Sequence, residues 1–169
     1  MNIRKITQLA LLTSAALIIF IIEAQLPPLT PVPGIKMGLA NVVTLVTLVW
    51  FGRKEAFAVL MMRILLGALF SGRMMSLAYS TAGGLLCFVV MALLIRFFDD
   101  GRLWVVSVFG AIAHNIGQII TAIVITSTWQ VIWYLPPLII SAVITGAFTG
   151  IAAGIAVKYV KNASGRGGN

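Results

Sequence analysis

The chain has 169 residues, 60% of them hydrophobic and only 9% charged, with a net charge of +8. A soluble domain carries about 25% charged residues, so a water-solvated fold is excluded in favour of one solvated largely by lipid. The basic residues stand singly or in pairs between apolar runs, a pattern that sets membrane topology and argues against nucleic-acid binding.

A transmembrane helix needs roughly 20 apolar residues, and on that rule the chain divides into six passes. The first helix is expected from about Lys5 to Leu26. Its apolar core is long, and the following stretch from Glu23 to Pro27 has no small-x-small cleavage site, so it is retained rather than removed as a signal peptide. Residues 27 to 34, with Pro27, Pro28, Pro31 and Pro33, form a stiff outer loop. The second helix covers about Ile35 to Phe51 and returns to a charged inner turn of Gly52, Arg53, Lys54 and Glu55.

The third helix, Ala56 to Phe70, is turned outside by Ser71, Gly72 and Arg73. The fourth runs from about Met74 to Phe98 and ends at an inner loop of Asp99, Asp100, Gly101 and Arg102. The fifth covers Leu103 to Ser127. After an outer loop from Thr128 to Pro137, the sixth continues to about Tyr159. This is an all-α membrane protein: a single six-helix domain over residues 1–160 and a flexible cytoplasmic tail over 161–169. All six prolines fall in the two outer loops, and Trp50, Trp104, Trp129 and Trp133 fall near water–lipid boundaries. Arg4, Lys5, Arg53, Lys54, Arg96, Arg102, Lys158, Lys161 and Arg166 share one face, which makes that face, and both termini, cytoplasmic. Gly146, Gly150 and Gly154, four residues apart, give the sixth helix a face for close contact within the chain.

Three cations break the pattern: Lys36, Arg63 and Arg73. Arg63 lies midway along the third helix, where an Arg costs about 2.5–3.5 kcal/mol even on the generous insertion scale. No acidic residue lies within one turn of it, and Glu23 is the candidate counter-ion. Three cations against one carboxylate leave a surplus that an anion from outside the chain would complete. Lys36 and Arg73 could instead snorkel to water. The fifth helix places His114 four residues from Gln118, and Asn115 three, on one face. That stripe serves equally as an interhelical clamp or as ligand contacts. Asn41 and Thr44 on the second helix, and Ser76, Tyr79 and Ser80 on the fourth, lie at similar depth. Together they predict an outward-opening pocket floored by Arg63 and His114.

The chain has no Gly-rich phosphate loop and no second aspartate pair beyond Asp99 and Asp100. Its one cysteine, Cys87, makes neither a disulfide nor a cysteine metal site. Catalytic residues, resident metals and cofactors are therefore not expected.

The stretches from Pro31 to Thr44, around Arg63, from Tyr79 to Gly84 and from Ala113 to Gln118 resemble one bacterial membrane family, over about Lys5 to Lys158. That family is known as heptaprenyl diphosphate synthase component I, or Gx transporter. It is similar in turn to the substrate-binding S components of energy-coupling factor (ECF) transporters, six-helix proteins of the bacterial cytoplasmic membrane. This likeness implies an S-component-like bundle docked on a T subunit and two ATPase subunits. The docking helix of such subunits typically carries Ala-x-x-x-Ala; here the matching positions are Ala10 and Ser14.

Three functions fit, the first of them as the leading reading. One is a substrate-specific uptake subunit for a small anionic or vitamin-like solute. Lys36 and Arg63 would hold its charge, Arg73 attract it, Asn41, Ser80, His114, Asn115 and Gln118 bond it, and Tyr79 stack on it, beneath the proline-rich loop as a lid. A second is an accessory membrane component of heptaprenyl diphosphate or menaquinone side-chain synthesis, with an isoprenoid-like ligand. A third is a structural subunit, in which Glu23 pairs with Arg63 and no cavity exists.

Overall fold

The computed structural model describes residues 3–26, 36–72 and 74–163. Six α-helices follow in order: α1 (Ile3–Glu23), α2 (Asn41–Trp50), α3 (Arg53–Ser71), α4 (Met74–Leu94), α5 (Leu103–Thr126) and α6 (Leu135–Ala163). Short 3₁₀ turns, Asp100–Arg102 and Trp129–Tyr134, lead into α5 and α6, and no strand occurs among the described residues. Four helices, α1, α4, α5 and α6, are long and apolar enough to cross a membrane. Large apolar side chains such as Leu11, Leu69, Val124 and Phe148 point outward, as suits lipid rather than water. The chain is an all-α membrane protein.

The direction of each helix follows from its inner contacts. The end of α2 (Leu48), the start of α3 (Ala56), the end of α4 (Met91, Ala92), the start of α5 (Leu103) and the end of α6 (Val157) share one apolar cluster. Lys5, near the start of α1, joins the same end by an ion pair with Glu55. Arg53 Nη2 donates to the Ala92 carbonyl, 3.0 Å away, at the close of α4. Successive helices therefore run in alternate directions.

The most extensive packing joins α4 to α5 and α5 to α6. The glycine face of α6 meets α5 directly: a Cβ on Gly150 would lie 2.4 Å from the Trp104 Cα, and one on Gly146 2.7 Å from the Val108 Cα. Only a residue without a side chain permits that approach. α1 packs chiefly against α3, and its Ala10 and Ser14 are exposed, the Ser14 hydroxyl bonding back to the Ala10 carbonyl.

Three expectations are corrected. The second helix does not begin at Ile35: α2 starts at Asn41, after a non-helical segment from Lys36 to Ala40. Gly38 at φ +80° breaks the helical path there. Second, Pro136 and Pro137 are not loop residues but lie in the first turn of α6. Proline is tolerated there because the first-turn N–H groups have no intrahelical acceptor. Third, α6 continues to Ala163, so residues 161–163 belong to the helix and not to a tail. The proline-rich loop, Arg73 and residues 164–169 lie outside the described residues.

Candidate functional site

The break before α2 is where the polar side chains meet. A non-helical stretch leaves backbone donors that lipid cannot satisfy, and side chains from two other helices take them up. Glu23, the last residue of α1, accepts from the Gly38 N–H. Gln118 Oε1 on α5 accepts from the Lys36 N–H at 3.1 Å. The Lys36 ammonium lies 3.5 Å over the Phe20 ring of α1, a cation–π contact.

Behind this segment runs a line of buried polar groups. Arg63 Nη2 donates to Asn41 Oδ1 at 3.3 Å, and Asn41 Nδ2 lies 3.3 Å from His114 Nδ1. His114 Nε2 is 3.0 Å from Gln118 Nε2. Arg63 is 3% exposed and Gln118 0%. The imidazole lies against Gly83 of α4, where a Cβ would come within 2.9 Å of its Nδ1 and Cε1. Five elements, α1, α3, α4, α5 and the entry to α2, thus supply one site.

Hydrogen-bond polarity can be followed along the line. The Lys36 N–H fixes Gln118 Oε1 as acceptor, which presents the Gln118 NH₂ to His114 Nε2. Arg63 fixes Asn41 Oδ1 in the same way, which presents the Asn41 NH₂ to His114 Nδ1. A neutral imidazole accepts at one nitrogen and donates at the other. The shorter Gln118 contact favours acceptance at Nε2 and the proton at Nδ1, beside Gly83, with whose backbone His114 has a hydrogen bond. Arg63 Nε has no hydrogen-bond partner. No carboxylate oxygen lies within 4 Å of Arg63 among the described residues, although Glu23 and Arg63 are electrostatically coupled. Lys36 and Arg63 against Glu23 leave the site with more positive than negative charge.

Lys36, Asn41, Arg63, His114 and Gln118 are thus brought together, with Glu23 at their edge. Those other candidates that fall among the described residues are placed differently. Asn115 donates to the Leu138 carbonyl of α6 at 2.7 Å, so it holds α5 to the start of α6. Tyr79 packs with Ile119, Ala122, Val131 and Leu138, away from the polar line. Ser80 is buried on α4, one turn before Gly83 and Gly84. A void of about 10 Å³, room for about one water molecule, adjoins Gly38, Asn41, Cys87 and Thr149. Nothing in the residue pattern singles out Phe20, an aromatic among many apolar residues, or the backbone N–H groups of Lys36 and Gly38 as structural donors. A lysine midway between Gly34 and Gly38, just after a proline cluster, was the available signal.

No group of three or more His, Cys, Asp or Glu residues that could hold a metal occurs among the described residues. A family model for heptaprenyl diphosphate synthase component I matches residues 12–156, most of the chain. No curated protein and no solved structure matches it. With a matched region that reaches into every helix and contains the whole polar line, this chain belongs to the heptaprenyl diphosphate synthase component I family.

Proposed function

We propose that the chain is an accessory membrane component of polyprenyl diphosphate synthesis in the bacterial cytoplasmic membrane. In this reading all six helices cross the bilayer and both termini face the cytoplasm. Its role is to hold an isoprenoid-like ligand by its anionic head rather than to catalyse chain growth, since the chain has no second aspartate pair to hold metal against a diphosphate. The observation that carries the proposal is Arg63: a buried guanidinium with an unpartnered Nε and no carboxylate within 4 Å among the described residues. Phosphate oxygens are acceptors and match a planar guanidinium edge. Lys36 adds charge, and family membership supplies the isoprenoid context.

One observation favours a second reading, an uptake subunit of the ECF S-component type with T and ATPase partners. The polar line is closed toward the Lys5–Glu55 end by the apolar cluster of Leu45, Leu48, Met91 and Leu103. Toward the opposite end it is covered by the segment from Lys36 to Ala40. A solute would then enter from the outer side, as at a broken helix that lines a transporter site.

Thermal unfolding of the purified protein in nanodiscs separates the readings. With farnesyl diphosphate as probe, the unfolding midpoint should rise for the wild type and not for Arg63→Gln, while inorganic pyrophosphate alone should do less. An equal rise in Arg63→Gln would remove the site assignment. Absence of any rise with farnesyl diphosphate, together with ATP-dependent solute uptake when T and ATPase subunits are supplied, would establish the second reading instead.

A further inference from the structure

A second site lies at the opposite end of the bundle from the Lys36 segment. The first turns of α5 and the last turns of α6 enclose a groove of about 480 Å³. Its floor is Gly150 and Gly154, its walls are Trp104, Ile151 and Ile155, and Lys158 and Lys161 stand at its mouth. Gly150 seats α6 almost on the α5 backbone, and most of the groove's lining is apolar. Trp104, Ile151 and Ile155 are among the exposed apolar residues, so the groove opens on the surface that lipid covers. The two lysines, three residues apart, share one face of α6.

We propose that this groove is a specific site for one anionic phospholipid of the cytoplasmic leaflet. An acyl chain lies along the glycine floor, and the phosphate headgroup sits between the Lys158 and Lys161 ammonium groups. The charge pattern supports this occupant. Basic pockets between transmembrane helices on the cytoplasmic side take phospholipid headgroups, and each cation near an anionic surface contributes to the attraction. The apolar walls select an amphiphile over a free phosphate ion. Trp104, at the start of α5, sits at headgroup depth, where indole rings are stable. This site does not depend on the role of Arg63.

The test uses the full chain in nanodiscs of phosphatidylcholine alone or mixed with phosphatidylglycerol. The unfolding midpoint should be higher with phosphatidylglycerol, and native mass spectra should retain one phosphatidylglycerol per chain. Lys158→Ala/Lys161→Ala should lose both effects. Ile155→Trp, which keeps both lysines and puts bulk in the groove at an exposed position, should lose them too, while Arg96→Ala on the same membrane face keeps them. Three outcomes would overturn the proposal: equal midpoints in the two lipids, an effect unchanged in Ile155→Trp, or retention of added farnesyl diphosphate through the same lysines in place of phosphatidylglycerol. The second would mean general surface attraction, and the third a different occupant.

Discussion

Arg63 on α3 and Asn41 at the first position of α2 are joined by a 3.3 Å hydrogen bond, and that bond orients the Asn41 amide toward His114. A cation in the middle of one helix thereby sets hydrogen-bond polarity on two others. Asn41→Leu should destabilise the protein by about 1–3 kcal/mol, the cost of leaving buried polar partners unmatched. A double-mutant cycle with His114→Leu should show a coupling of roughly 0.5–3 kcal/mol. Equilibrium unfolding in detergent measures both, and strict additivity would mean the line is not one network.

Gln118 should act on a backbone 82 residues away through the Lys36 N–H. Gln118→Leu removes that acceptor, and amide hydrogen exchange at Lys36 should accelerate more than at Val106 on the same α5. Gln118→Glu retains an acceptor for the Lys36 N–H and should restore most of the protection. Uniform acceleration along α5 would instead indicate global loosening.

Gly38 has two reasons to resist substitution. Its φ is +80°, and a Cβ there would lie 2.9 Å from both Asn41 Nδ2 and His114 Cδ2. Gly38→Ala should lower stability by about 1 kcal/mol or more. Gly72, also at positive φ but with nothing within 4 Å of its Cβ position, should be the milder site. Comparing the two unfolding midpoints separates backbone strain from crowding.

The α5–α6 seam should tolerate even less. Gly150→Leu would drive a side chain into the Trp104 backbone and should abolish recovery of folded protein, whereas Ile151→Leu, one residue on and exposed, should be near neutral. Size-exclusion profiles after detergent extraction distinguish them.

Asn115 offers a graded case. Its side chain bonds the Leu138 carbonyl, and Asn115→Ala should cost about 0.6–2 kcal/mol, the range for interhelical hydrogen bonds within membranes. Response to an anionic ligand should be unchanged, because this amide faces α6 rather than the Arg63 line.

Much of the architecture was legible because lipid imposes strong rules on sequence. Helix number and type followed from the apolar run lengths, and the glycine face of α6 from its four-residue spacing. The expected ends of α3 and α5 fall within a few residues of the observed ones. The meeting of Asn41, Arg63 and His114 was anticipated from depth along each helix. What depth could not reveal was azimuth. Tyr79 and Asn115 lie near the same level but turn toward α6 and its neighbours, and only packing decides that direction. The late start of α2 was hidden for a related reason: an apolar stretch beside a proline cluster extrapolates to a helix unless side chains elsewhere can satisfy the opened backbone. Here Glu23 and Gln118 do so from separate helices.

That long-range bond also imposes an order on biogenesis. The ribosome delivers Lys36 and the short α2 well before Gln118 exists, so the emerging amino-terminal half carries an unmet amide into the translocon. It becomes complete only when α5 arrives.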